Sequence, residues 1–203
     1  MRIQLRFHPS ELTYPSAFDH TVTGQPTAYC HTGHIIWNSK AYKYVHYVWY
    51  YVDNPGIGCC GILPYAKCMG YHPHDIEGVT ILFQEEDPMF VYFHAHGYGQ
   101  GTMLPWDACE KNEDGALIVY VAKFSHASYP KAKYYCRGFG FASDVTSNTG
   151  KHIQYHDFTE VPAMITLSDG QTRQISLDQI PSISAPLLWA VCLPFTQNKL
   201  RAL

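Results

Sequence analysis

Apolar runs of strand length, separated by turn-forming residues, recur along the chain, and no long apolar repeat has a helical period. Residues 41–52 (AYKYVHYVWYYV) consist largely of Tyr, Val and Trp and predict a strand buried on both faces. Residues 76–83 and 89–94 flank the polar stretch 84–88, so they predict two strands joined by a turn. Residues 116–122 (ALIVYVA) predict a further strand.

The second half of the chain continues the same pattern. Residues 161–167 and 172–176 flank the dipeptide Asp169-Gly170 and predict a hairpin with that dipeptide at its turn. We expect a short helix or a loop at residues 108–115 and a final helical turn or two at residues 196–203. Strands therefore dominate the predicted secondary structure.

These elements predict a mainly β fold, namely a single-domain β-sandwich with a few flanking short helices. No internal repeat, low-complexity tract or linker divides the chain. The N-terminal residues are rich in proline and glycine, so we interpret residues 1–40 as an extended segment packed on the body of the protein. Residues 41–203 then form the sandwich.

The composition excludes two broad classes of protein. Of the 203 residues, 46% are hydrophobic and 15% are charged, and this charged fraction is well below the usual value of about 25%. Such a chain is not dominated by disorder. The formal net charge of −3 is not that of a nucleic-acid-binding protein, which normally carries a basic excess.

Neither a signal peptide nor a transmembrane segment is found in the sequence. The first twenty residues contain no apolar run of the length that secretion requires. The most apolar stretch, residues 185–195, contains two prolines and is shorter than a membrane span. The sequence as written predicts a cytoplasmic protein. We expect a secreted protein if the start of the sequence is incomplete or if export is unconventional.

Seven cysteines leave at least one thiol without a partner inside a monomer. Cys59, Cys60 and Cys68, with His72, are residue types that bind zinc, but an adjacent pair followed by an eight-residue step fits no common zinc spacing. We prefer the interpretation that these cysteines form a disulfide within the loop that contains them, or that they are buried free thiols.

The densest group of ionisable residues is the string His72-Pro73-His74-Asp75-Ile76-Glu77. On an extended segment Asp75 and Glu77 lie on one face and His74 on the other. Two such carboxylates repel each other unless a cation or a shared proton lies between them. Together with Asp53 at the end of the preceding strand, they suit a hard divalent ion such as Ca²⁺ or Mg²⁺. Alternatively, Asp53 caps a turn while Asp75 and Glu77 face water.

Two further histidine groups follow strands. His94 and His96 end the strand at 89–94, and His126 comes just after the strand at 116–122. Sites are commonly built where strand ends gather. For His94 we prefer a buried hydrogen bond, whereas for His96 and His126 a structural and a functional role remain equally open. Ser125 and Ser128 lack the G-x-S-x-G motif of a hydrolase, and we expect no enzyme.

Several blocks of the chain, in order, resemble the necrosis- and ethylene-inducing peptide-like proteins, a family of secreted microbial cytolysins. Residues 71–77 (YHPHDIE) are similar to the family heptapeptide GHRHDWE, although Tyr71, Pro73 and Ile76 replace its Gly, Arg and Trp. The other similar blocks are residues 47–55 (YVWYYVDNP), residues 96–98 (HGY), the strand before His126, and residues 189–195 (WAVCLPF).

The resemblance implies a β-sandwich with a divalent cation in a shallow acidic pocket. The implied ligands are Asp53, His72, Asp75 and Glu77. His74, His96, Tyr98 and His126 are candidates for supporting the ligands or contacting a bound molecule. In the family this ion helps to engage the sugar headgroups of plant sphingolipids before the membrane is damaged.

Two functions follow from these observations. The first is a cytolysin-like protein that uses its cation to bind a glycolipid or sugar headgroup. The second is a non-toxic structural protein on the same fold, for example a viral occlusion-body protein, with or without the ion. Its Tyr-rich, Cys-containing and weakly charged surface would favour self-association into a dense matrix or crystal.

Overall fold

A computed structural model describes residues 1–9, 28–54, 72–96, 101–137, 142–155, 159–160, 164–166 and 172–174. Within these ranges almost all regular structure is strand, and the only helix is a single 3₁₀ turn at Trp106–Ala108. The mainly β prediction is confirmed. The strands are β1 (Ile3–Arg6), β2 (Ala28–Trp37), β3 (Lys40–Asn54), β4 (His72–Gln84), β5 (Asp87–Phe93), β6 (Thr102–Pro105), β7 (Leu117–Val121), β8 (Ser128–Tyr129), β9 (Tyr134–Arg137), β10 (Ala142–Val145), β11 (His152–Tyr155), β12 (Thr159–Glu160), β13 (Met164–Thr166) and β14 (Thr172–Gln174).

Two sheets form the body. The larger has the strand order β12-β2-β3-β4-β5-β6, and the smaller has the order β11-β1-β7-β8. β2 to β6 form an antiparallel meander, whereas β1 runs parallel to β7 and antiparallel to β11. Residues 3–6 and 28–37 of the predicted N-terminal segment are thus strands of the two sheets.

The predicted strands and hairpins are present with small changes of boundary. β3 contains the run predicted at 41–52, and β7 lies within the run predicted at 116–122. β4 pairs with β5 across the turn at 85–86, and β4 extends back to His72. β13 pairs antiparallel with β14, as the hairpin prediction required. The predicted turn at 168–171 and the tail at 196–203 lie outside the described residues.

The hydrophobic core lies between the two sheets. Its members come from the inward faces of β3, β4 and β5 on one side and of β1 and β7 on the other. The largest are Trp49, Tyr51, Phe7 and Phe93, all fully buried. Apolar burial of this kind contributes roughly 25 cal/mol per Å², so this layer is the main stabilising contact between the sheets.

The outer face of the larger sheet is buried as well. Tyr42, Tyr44 and Leu82 form a second cluster with Ile35, and Trp37 and Phe90 pack edge to face at its border, with ring centroids 4.9 Å apart. Because residues on both faces of β3 are buried, the prediction made from its run of Tyr and Val is confirmed.

A hydrogen-bonded trio of polar side chains interrupts this outer face. The Thr80 hydroxyl contacts His46 Nδ1 at 2.7 Å and His94 Nε2 at 2.8 Å, and all three residues are buried. A hydroxyl carries one proton, so it donates to one imidazole and accepts from the other. The preferred interpretation of His94, a buried histidine with a hydrogen-bond partner, is confirmed.

Acid should destabilise the protein partly through this trio. Burial, followed by the proximity of His46, lowers the pKa of His94 well below its ordinary value of 6.5. The unfolded chain therefore binds more protons than the folded one below about pH 6.5, and stability falls as pH falls through that range. We expect the free energy of unfolding of a His94→Gln variant, which retains an amide near Thr80, to fall less steeply with decreasing pH than that of the wild type. The difference should be up to about 1.4 kcal/mol per pH unit.

Urea unfolding at a series of pH values measures this difference. His152→Gln is the matched control, since His152 is exposed. If the stabilities of the wild type and the His94→Gln variant depended equally on pH, His94 would not contribute to the loss of stability in acid.

Candidate functional site

Strand β4 carries two acidic residues on the face that points into the sandwich. Val79 and Ile81 lie in the core between the sheets, and Asp75 and Glu77 continue the same alternating positions. The residues are only 4% and 8% exposed, respectively. The two carboxylates share a face, as predicted, but the alternative that they face water is wrong.

The register of β3 and β4 brings the four predicted metal ligands onto adjacent stretches of backbone. Tyr51 pairs with Asp75, Asp53 with Pro73, and Asn54 with His72. The side chains of Asp53, His72 and His74 lie outside what the structure describes, as does all of Tyr98.

A tight turn between β7 and β8 supplies the partner of Asp75. Backbone bonds from Ala122 N to Ala127 O and from His126 N to Ala122 O close the turn. Phe124 and His126 have positive φ angles of 68° and 55° within it. His126 Nδ1 lies 2.9 Å from Asp75 Oδ2, and its ring stacks on Tyr51 with centroids 4.0 Å apart.

Asp144, on β10, is the second acidic residue with histidine as a partner. Its carboxylate accepts hydrogen bonds from Ser125 Oγ at 2.7 Å and from the Tyr129 hydroxyl, and it contacts His96 Nε2. Burial by itself raises the pKa of this carboxyl. The hydrogen bonds from His96, Tyr129 and Ser125, together with the electrostatic interaction with the His96 ring, outweigh burial and hold the pKa below 3.8.

Glu77 is the third carboxylate and is not compensated in this way. Burial raises its pKa well above 4.5, and the charges of Asp75 and then Asp144 raise it further. Among the described residues no side chain or backbone group donates a hydrogen bond to Glu77, whereas Asp75 and Asp144 each contact a histidine. The cluster therefore contains an acidic group that lacks a positive partner in the described part of the chain.

The oxygen atoms of this cluster are of the type that Ca²⁺ and Mg²⁺ prefer. Within the described residues, however, no three His, Cys, Asp or Glu side chains are grouped closely enough to hold a metal ion. Asp75 and Glu77 supply oxygen ligands of the kind that a hard cation prefers, but they are only two. A complete ligand set needs Asp53 and His72 as well.

The serines of this region are not arranged as nucleophiles. The Ser125 hydroxyl donates to Asp144 rather than to an imidazole. Ser128 Oγ is buried and has no hydrogen-bond partner among the described residues. Among the described residues, neither serine hydroxyl is hydrogen-bonded to a histidine that could remove its proton, which is the arrangement that a serine hydrolase requires.

Sequence reasoning missed Asp144, Tyr129, Ser125 and Tyr51 as members of the site. The only local signal was Asp144 itself, because aspartate is disfavoured inside a strand and its presence there asks for a reason. The remaining contacts arise from the turn at 122–127 and from pairing between distant segments, which short motifs do not encode.

The cysteines seen in the structure are not part of this site. Cys109 is buried, which raises its pKa to about 11, and Cys136 is exposed. Neither takes part in a disulfide bond. The predicted loop disulfide and the zinc alternative fall on Cys59, Cys60 and Cys68, which lie outside the described residues.

In the part of the chain that the structure describes, no helix has the length and apolarity needed to cross a lipid bilayer. Comparison of the chain with protein-family models, with curated proteins and with solved structures found no match.

Proposed function

We propose that this protein binds a divalent cation at the end of the sandwich and uses it to engage a carbohydrate headgroup of a glycolipid. The observation that carries the proposal is Glu77, a buried carboxylate beside Asp75 and Asp144 with no hydrogen-bond donor among the described residues. Buried charge of one sign is costly unless it is paired. A bound cation would pair it.

The proposed ligands are Asp53, His72, Asp75 and Glu77. Three carboxylates and one imidazole favour Ca²⁺ or Mg²⁺, because hard cations select oxygen donors. The β3–β4 register supports this set by pairing Asp53 and Asn54 with Pro73 and His72. The resemblance to the necrosis- and ethylene-inducing peptide-like proteins suggests the same four residues.

His126 would orient Asp75 rather than bind the ion. Its Nδ1 donates to Asp75 Oδ2, and its ring is held flat against Tyr51. Groups that hold a ligand carboxylate in place often contribute substantially to metal affinity. Coordination positions left open by the protein would accept hydroxyl groups of a sugar, and this is the chemistry that the proposed function requires.

The direct test is thermal unfolding after chelation, with and without added Ca²⁺ or Mg²⁺. A cation at about one hundred times its Kd should raise the Tm by about 5–10 °C for a protein of this size. Asp75→Ala should abolish the increase, and Asp107→Ala should leave it intact because Asp107 is exposed. A wild-type Tm that neither ion raises would contradict the proposal.

A second candidate function is self-association as a structural protein. On β9, Tyr134 is 62% exposed, and Cys136, two positions further on, is also exposed. Alternate positions of a strand share a face, so this edge presents an aromatic ring and a thiol together. Light scattering at high protein concentration, with and without reductant, tests this candidate. A monomer under both conditions would contradict it.

A further inference from the structure

We infer that Asp144 is a positioning residue that fixes the proton of His96 on Nε2 and so presents Nδ1 of the same ring as a hydrogen-bond acceptor for a ligand hydroxyl. This inference rests on the proposed carbohydrate-binding function and assigns one of its polar contacts. Neither residue belongs to the set of four proposed metal ligands.

The direction of the proton follows from the partners of Asp144. Ser125 donates to one carboxylate oxygen, Oδ1, and Tyr129 donates to the other, Oδ2, where His96 Nε2 also contacts it. These bonds favour the ionised carboxylate, which only accepts hydrogen bonds. His96 must then donate from Nε2. In the neutral imidazole this leaves Nδ1 without a proton.

The exposure of the pair shows which part of His96 is available. The side chain of His96 is 28% exposed, whereas that of Asp144 is 1% exposed. Since Nε2 contacts the buried carboxylate, we assign Nδ1, the other ring nitrogen, to the exposed part of the side chain. Among the described residues, His96 makes no second side-chain hydrogen bond and no ring contact.

The backbone holds His96 in an unusual conformation. Ala95 is buried in the core, and His96 follows it with a φ angle of 49°, in the left-handed region that few residues other than glycine adopt. Such conformations persist where surrounding contacts fix them, and they are common at binding sites. Here the contact with Asp144 fixes the side chain of the strained residue.

The ligand class follows from the chemistry of Nδ1. An unprotonated imidazole nitrogen accepts hydrogen bonds from O–H or N–H groups, and it has no proton to donate to the oxygens of a phosphate. It therefore suits the hydroxyl groups of a neutral sugar, whether the sugar is a lipid headgroup or free. A cation at Asp75 and Glu77 and an acceptor at His96 would together recognise a polyhydroxylated ring.

The proton assignment can be tested without a ligand by long-range proton–nitrogen correlation spectra of the imidazole rings at neutral pH. We expect His96 to show a protonated Nε2, and Asp144→Asn to lose this preference. Glu110→Gln is the matched control, because Glu110 also accepts from a tyrosine, Tyr120, at 2.6 Å, and among the described residues no hydrogen bond joins it to His96. Protonation of Nδ1 in the wild type, or an unchanged His96 signal in Asp144→Asn, would overturn the inference.

The ligand contact is tested by binding to phosphatidylcholine vesicles with and without glucosylceramide, in the presence of Ca²⁺. His96→Phe should bind glucosylceramide vesicles about fivefold more weakly, the effect of one hydrogen bond, while the exposed control His152→Phe binds like the wild type. Competition by methyl glucoside would show that the free sugar suffices, and its absence would show that the lipid is required.

The outcomes separate the two proposals. A cation-dependent Tm with normal vesicle binding by His96→Phe overturns the role of His96 alone. A cation-dependent Tm with no vesicle binding by the wild type overturns the role of His96 and the carbohydrate ligand, and leaves only the cation site. A wild-type Tm that does not respond to cations overturns the proposed function, whereas the spectra still decide the proton assignment.

Discussion

Replacing Glu77 by glutamine is expected to stabilise the cation-free protein at neutral pH. The pKa of Glu77 is raised by burial and then by the charges of Asp75 and Asp144. Between 4.5 and this raised value the folded protein binds more protons than the unfolded chain, so stability falls as pH rises through that range. Neutral pH lies above 4.5, so a penalty is present there, and glutamine, which carries no charge, removes it.

The same variant should lose the Tm increase that Ca²⁺ or Mg²⁺ gives the wild type. Urea unfolding in the presence of a chelator measures the first effect, and thermal unfolding with added cation measures the second. Glu86→Gln is the control because Glu86 is exposed in the β4–β5 turn. A Glu77→Gln protein that is less stable than the wild type without cation would show that Glu77 is a structural residue and that its burial is compensated.

The second large effect is expected at Gly78, between Glu77 and Val79 on β4. A Cβ atom at this position would overlap the backbone carbonyl oxygen of Tyr47 on β3. Backbone in the middle of a sheet cannot move aside as a flexible side chain can. Gly78→Ala should therefore cost more than about 3 kcal/mol, or prevent folding, because β3 and β4 would have to separate beside the site.

Gly115→Ala provides the comparison for this prediction. Gly115 has open space around its Cα but a φ angle of 76°. Alanine there should cost only about 1–2 kcal/mol, the penalty of a left-handed backbone. Urea unfolding of both variants measures the two losses of stability. Equal losses of stability would mean that β4 relaxes around the added methyl group.

The strands that the sequence predicted are those whose signal is local. β3, β4, β5 and β7 are dense runs of aromatic and β-branched residues, and each was placed within a few positions of its observed bounds. The shared face of Asp75 and Glu77 was also predictable, because it follows from the two-residue period of a strand.

The rest of the site depends on pairing between distant segments. Asp144 reaches the cluster through the short hairpin β9–β10, and His126 reaches Asp75 from a turn with two positive φ angles. β1 has only four residues and pairs in parallel with β7, more than a hundred positions away. Such contacts are set by the packing of whole sheets and leave little trace in a short stretch of sequence.

The position of β1 has a consequence for the order of folding on the ribosome. β1 is synthesised early, yet its neighbours are β7 and β11, so its sheet cannot be complete before residue 155 has emerged. The β2–β5 meander can pair sooner, since its contacts are between consecutive strands. Asp75 and Glu77 are therefore made, and can be brought together, before the histidine at 126 and the aspartate at 144 exist. The nascent chain carries this acidic pair without its later partners until the smaller sheet docks.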